Sequence, residues 1–235
     1  MRNSAPLFGL TAALAGVAIL ALSFGPPVGP GSGPLRDEPL PTLPNRVERL
    51  LIVGTSLSHR ERWPEALADR LERCTGTRPQ VEVIAQPGAA SDWGAAQLIG
   101  RIGPPPSAAL VEFGANDADR LDGLSESESY AAHTRIFAAL EGVPTVVMRM
   151  SPALGLRGWT RLGREEREDA IAAWAVSAGI GILDLDRRWR ARWEATKGWR
   201  AEMPDGLHPL PAAAAAVIAP AAAALLVPNC PEDVP

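Results

Sequence analysis

The sequence has little of what several protein classes require. It holds two cysteines, Cys74 and Cys230, and three histidines, His59, His133 and His208. A structural zinc site needs clustered thiolate and imidazole ligands, so two distant cysteines exclude one. The cysteines are either two unrelated buried thiols or a disulfide pinning the C-terminal tail to the end of the first helix. The second reading requires an oxidising compartment. Basic residues form no stripe: Lys and Arg number 23 against 27 Asp and Glu, for a net charge of −4. They are interleaved with acids, as from Arg161 to Asp169, so no nucleic-acid partner is expected. No Gly-x-Ser-x-Gly run is present, which argues against an α/β-hydrolase nucleophile elbow. Aromatic residues are 5% of the chain, yet seven are tryptophan. With 46% hydrophobic and 21% charged residues, the composition is that of a folded domain.

Arg2 precedes an apolar, uncharged run from Ala5 to Phe24. A positive start and a hydrophobic run define a secretory signal, and the small pair Ala21 and Ser23 suits cleavage after Ser23. The run is also long enough for an uncleaved membrane anchor. Residues 1–24 are therefore read as signal peptide or anchor, and the protein as exported, either periplasmic or secreted. No cysteine ends the run, which argues against a lipoprotein. Residues 25–46 are rich in proline and glycine and read as a tether. The folded domain is expected over 47–235, starting near Val47.

Within it, nearly continuous apolar runs alternate with helical patterns. The runs are Leu50–Val53, Val81–Ala85, Ala109–Phe113, Thr145–Met150 and Ile180–Leu185. Strands covered on both faces have this character. The helical stretches are Pro64–Cys74, Asp92–Ile102, Glu126–Leu140, Arg164–Ala178 and Pro209–Leu226, the last kinked or interrupted near Pro220. Such alternation predicts one α/β/α sandwich with five parallel strands. Ligands of open α/β sheets bind beyond the strands' carboxyl ends.

Four groups follow the apolar runs: Gly54-Thr55-Ser56-Leu57-Ser58, the glycine Gly88, Gly114-Ala115-Asn116-Asp117 and Asp205-Gly206-Leu207-His208. A serine hydroxyl becomes a nucleophile when a base takes its proton. His208 suits that task for Ser56, and Asp205, three residues earlier, suits the support of the imidazole. The backbone N–H groups of Ser56 and Gly88 and the Asn116 amide could meet an oxyanion. Glycine at 88 would let the backbone approach a substrate that a Cβ would obstruct.

In this order the four groups resemble the conserved blocks of the SGNH (GDSL) hydrolases, from about Leu50 to Leu226. The resemblance implies a flavodoxin-like fold, a Ser56–His208–Asp205 triad, an oxyanion hole of Ser56, Gly88 and Asn116, and no metal or cofactor. One position departs from it: Thr55 stands where the family usually has aspartate, which puts in doubt the hydrogen bonding behind the nucleophile turn.

The other candidates have plainer readings. Asp117 organises its loop, His59 is solvated or caps a helix, and His133 is structural. Asp184 and Asp186 are surface or capping residues. Trp159 and Trp199 could offer flat faces to a sugar ring or an acyl group, or fill the core; Trp93 packs beneath the Gly88 loop. The expected activity is ester hydrolysis, with a small acyl group, acetyl, on a carbohydrate as the substrate. A lysophospholipase, a thioesterase and an O-acyltransferase of the same superfamily are the alternatives.

Overall fold

The computed structural model describes residues 37–41, 46–101, 103–196 and 198–232. The signal or anchor segment and most of the tether lie outside the described residues. Five strands form one parallel sheet: β1 (Arg49–Gly54), β2 (Gln80–Ala85), β3 (Ala108–Val111), β4 (Thr145–Arg149) and β5 (Gly181–Asp184). Their order is β2-β1-β3-β4-β5. The chain steps from β1 outward to β2, then returns past β1 to β3. This is the flavodoxin-like order, whose switch point between β1 and β3 opens a crevice at the strands' carboxyl ends.

Successive strand residues point to opposite faces, and burial of both faces in β1, β3, β4 and β5 explains their nearly continuous apolar runs; β2, at the sheet edge, is largely exposed instead. Leu50, Ile52, Leu110, Val146, Met148 and Leu183 share one core. Leu51, Val53, Ala109 and Val111 share the other. Helices α1 (Ser56–His59), α2 (Trp63–Thr75), α3 (Ser91–Leu98), α4 (Gly114–Asp117) and α5 (Glu126–Ala139) occupy the first half of the domain. Helices α6 (Gly155–Trp159), α7 (Arg164–Ser177), α8 (Asp186–Thr196) and α9 (Pro211–Leu226) follow. The first core takes Leu67 and Leu71 of α2, Trp189 and Trp193 of α8, and Ile218 of α9. The second takes Leu98 of α3 and Ile136 of α5, while Ala175 of α7 packs on Val147 and Ile182. Each fully buried Leu or Ile contributes about 1.5–3 kcal/mol.

The structure departs from the sequence reading at several elements. The helix expected over Asp92–Ile102 ends at Leu98, where Ile99 turns to extended backbone; Ile102 lies outside the described residues. Helix α9 runs through Pro220 without interruption. Its alanines pack closely on the sheet and α2, which outweighs the one backbone donor that proline lacks. Helix α8 was not anticipated; Trp189 and Trp193, one turn apart, supply its buried stripe. Ahead of Val47, Glu38 pairs antiparallel with Ile182 of β5, giving hydrogen bonds of 3.0 and 2.9 Å, and Leu40 is buried. Residues assigned to the tether thus cover the β5 edge. Arg188 clamps them, donating to Asp37 and Glu232 together.

Cys74, in the last turn of α2, and Cys230, beyond α9, form a disulfide that encloses most of the domain. Of the two readings left open by the sequence, the disulfide is the one realised.

Candidate active site

Ser56 is the first residue of α1, directly beyond β1. Thr55 caps this helix, its Oγ1 accepting from the Leu57 N–H at 3.2 Å. Behind the turn lies Glu112, wholly buried at the end of β3. Its Oε1 accepts from the Thr55 N–H at 2.7 Å and from the Ser58 hydroxyl at 2.7 Å, and its Oε2 accepts from the Thr55 hydroxyl at 3.0 Å. Glu112 therefore answers the doubt that Thr55 raised: a carboxylate from β3 anchors the nucleophile turn. The same carboxyl explains Gly54, where any Cβ would clash with it. Burial pushes the Glu112 carboxyl up to about 7, against the opposing bonds from Thr55 and Ser58 and the charge of Arg164. Its sequence signal was a lone acid in the apolar run around Ala109–Phe113.

The Asp205–His208 turn meets Ser56 from the other end of the chain. Ser56 Oγ lies 2.8 Å from His208 Nε2, and His208 Nδ1 lies 2.6 Å from Asp205 Oδ2. Asp205 Oδ1 also accepts from the backbone N–H groups of Leu207 and His208, at 2.9 and 2.8 Å. Burial raises the Asp205 carboxyl, but these three donors outweigh it and leave its pKa below the ordinary value. An ionised carboxylate only accepts, so His208 Nδ1 carries the proton and Nε2 is free to accept from Ser56. The loop before α6 holds this turn in place: the Leu154 N–H donates to Gly206 O at 2.7 Å, and Ser151 Oγ donates to Leu207 O at 3.1 Å.

The second and third blocks are joined to the first and to each other. The Gln86 N–H donates to Gly54 O at 3.2 Å, and Asn116 Nδ2 donates to Ala89 O at 2.9 Å. One Asn116 N–H is thus engaged and one remains to meet a ligand. Gly88 has φ +80°, with open space where a Cβ would stand. The left-handed backbone is a reason for glycine here that the sequence did not show, beside the close substrate approach expected of it. Asp117 organises the loops. It accepts from the Ser91 N–H at 2.7 Å, the Ser91 hydroxyl at 2.6 Å and the Ser129 hydroxyl at 2.5 Å.

Among the described residues, the remaining candidates form no hydrogen bond with the Ser56, His208 or Asp205 side chains. His59 is exposed at the end of α1. His133 is buried, with Nδ1 2.9 Å from Ser129 O. Asp184 accepts from Arg149, and Asp186 pairs with Arg190. The Trp199 ring packs against Gly155 with the Arg200 guanidinium over its face, so that face is occupied. Trp159 is partly exposed at the end of α6. Trp93 packs against the core that holds Ala89. Among the described residues, no group of three or more His, Cys, Asp or Glu is arranged to hold a metal ion.

A serine, an imidazole and a carboxylate in relay beyond a parallel sheet define a serine-hydrolase class of site. Residues 51–216 match the GDSL-like lipase/acylhydrolase family, and the chain belongs to that family. It is accordingly an acylhydrolase acting on carboxylic esters. The fold is similar to a lipase/acylhydrolase from Enterococcus faecalis, with a TM-score of 0.61 and 18% identity over 73% of this chain and 93% of the other. It is similar to TesA, with a TM-score of 0.59 and 22% identity over 76% and 99%. It is also similar to a variant of an acetyl-xylooligosaccharide esterase from Geobacillus, with a TM-score of 0.62 and 14% identity over 80% and 96%. No curated protein sequence matches the chain.

Proposed function

We propose that the chain is an exported serine esterase that removes a small acyl group, acetyl, from a carbohydrate. The observation that carries the catalytic part is the relay Ser56–His208–Asp205, with contacts of 2.8 and 2.6 Å. Ser56 attacks the ester carbonyl while His208 takes its proton. The oxyanion is met by the N–H groups of Ser56 and Gly88 and by the second N–H of Asn116, each such donor worth on the order of 100- to 1000-fold in rate. His208 then returns the proton to the leaving alcohol. Water, activated by the same imidazole, releases the acid.

Export is supported by the N-terminal apolar run and by the Cys74–Cys230 disulfide, since cytosolic thiols stay reduced. The acetyl-carbohydrate choice is supported by export and by the likeness to the acetyl-xylooligosaccharide esterase. Two measurements test the reading. A fluorophosphonate probe is expected to label wild type and not Ser56→Ala. In a panel of esters of graded acyl length, run beside acetylated glycans, acetyl esters are expected to react fastest. Faster turnover of long-chain lipid esters or thioesters would replace the substrate assignment with a lysophospholipase or thioesterase. Acyl transfer to an added sugar would make the chain a transferase.

A further inference from the structure

The helix α4 that presents Asn116 has a single turn, too short to satisfy its own carbonyls. Phe113 O accepts from the N–H groups of Asn116 and Asp117, both at 3.0 Å. Gly114 O accepts from the Ala118 N–H at 3.3 Å, and Asn116 O from the Asp119 N–H at 3.0 Å. Ala115 O, whose peptide leads into Asn116, is met from a different segment: Arg161 Nε donates to it at 2.7 Å. Arg161 stands between α6 and α7 and is only 5% exposed.

The other guanidinium nitrogens reach both segments. Nη2 pairs with Asp119 at 2.6 Å, just past α4. Nη1 donates to Thr160 Oγ1 at 2.8 Å and to Arg157 O at 3.3 Å, within and just past α6. The Arg120 N–H adds a backbone bond to Thr160 O at 2.8 Å. A planar fork can hold Ala115 O and Asp119 at once and at fixed angles, which a lysine ammonium cannot reproduce. The loop before α6 is the one that grips the catalytic turn, through Leu154 to Gly206 O and Ser151 to Leu207 O. Arg161 therefore joins the segment that presents Asn116 to the segment that supports His208.

We infer that Arg161 is a positioning residue for Asn116: by fixing Ala115 O on one side and Asp119 on the other, it sets the direction of the amide N–H that meets the oxyanion. The inference rests on the esterase reading for its catalytic meaning, while the contacts stand without it. Asn116 Nδ2 already donates to Ala89 O at 2.9 Å, so a shift of the α4 backbone turns the second N–H away from its target. Asp117 still ties α4 to Ser91 and Ser129 when the guanidinium is removed, so α4 shifts and is not released. A misplacement of about 1 Å costs on the order of 100-fold in rate.

The test is a double-substitution cycle. The kcat for an acetyl ester is measured in wild type, Arg161→Met, Asn116→Ala and the double variant, per active serine counted by complete fluorophosphonate labelling. The Asn116 side-chain amide, assigned through its own substitution, is followed by NMR. Arg161→Met is expected to lose about 100-fold in kcat with KM little changed. That loss is expected to vanish in the Asn116→Ala background, because residues acting through one another are not additive. The Asn116 amide signal is expected to shift in Arg161→Met, and its proton bonded to Ala89 O to exchange faster. A merely structural Arg161 would lower the melting temperature and the count of active serines, yet leave kcat per active serine and the Asn116 signal unchanged; that result would overturn the inference, as would losses that multiply in the double variant. If wild type hydrolyses no ester, the esterase reading ends and the Asn116 signal alone decides: shifted, it sustains the positioning role, and unshifted, it overturns it. If Arg161→Met does not fold, Arg161→Lys enters the same cycle, keeping a charge for Asp119 but not the fork. A lysine variant equal to wild type in kcat and in the Asn116 signal would overturn the inference, and a non-additive loss with a shifted signal would support it.

Discussion

Among the described residues two groupings of serine, histidine and aspartate stand out, and one of them forms a relay. In the first, Ser56, His208 and Asp205 are joined in series through the imidazole, whose side chain is 23% exposed. In the second, Ser91, Ser129, Asp117 and His133 lie between α3, α4 and α5. There the carboxylate takes the serine hydroxyls directly, and the imidazole turns to a backbone carbonyl. His133 is 3% exposed, and burial drives its pKa down despite the Asp117 charge 3.7 Å away. Residue type is shared by the two groupings; what differs is the order of connection and access to water. A base must face a substrate on one side and a carboxylate on the other. A buried acid that collects donors instead locks helices together.

Substitutions at the two groupings should therefore fail in different ways. The largest effect is expected for Ser56→Ala or His208→Ala, a loss of about 10^4- to 10^6-fold in kcat with the thermal midpoint nearly unchanged. Asp205→Asn is expected to lose about 10^4-fold, since the amide favours the wrong tautomer. Steady-state kinetics beside a melting curve checks both; a His133→Gln enzyme as inactive as His208→Ala would erase the distinction between the groupings. Asp117→Ala should cost about 3 kcal/mol of stability, because the donors of Ser91 and Ser129 lose their shared acceptor. Denaturant unfolding reads this directly, and a fully stable variant would contradict the locking role.

Outside both groupings, the double substitution Cys74→Ser and Cys230→Ser should cost about 2–5 kcal/mol with kcat preserved. Thr55→Val removes the helix cap and the hydroxyl donated to Glu112, an expected loss of about 1 kcal/mol. The pH response also separates the acids. Glu61 and Glu112 are buried, which raises their pKa values, so the stability they contribute is full below the ordinary 4.5 and is lost as pH rises through about 7 and 8. Asp205 is lowered, so its contribution is present above the ordinary 3.8 and is lost as pH falls through its folded value. The melting temperature should therefore be higher near pH 5 than at pH 9; a flat or rising curve would mean that the two glutamates are not buried as described. Activity should itself fall in acid, where a protonated imidazole cannot accept the serine proton.

Much of the site was legible because its chemistry is local. Asp205 and His208 sit in one turn, and Ser56 and Asn116 each directly follow an apolar run. Glu61 was not legible, because in the run His59-Arg60-Glu61-Arg62 nothing distinguishes a buried acid from a solvated one. Nor was the placement of residues 37–40, since a proline-rich stretch does not announce that a strand edge will receive it. Gly88 was legible as a glycine of consequence, but its left-handed backbone angle was not, because that angle is a property of the folded loop.

By itself, then, the sequence determined the alternation of strands and helices, the two apolar faces of the sheet and the chemical types gathered beyond it, because these follow from periodicity and from a few residues near one another in the chain. Only the tertiary structure decided which serine meets which imidazole, that Glu112 anchors the nucleophile turn, that Glu61 is buried, and that Cys74 reaches Cys230. Each of those depends on distances between segments far apart in the chain, set by how the sheet packs against its helices.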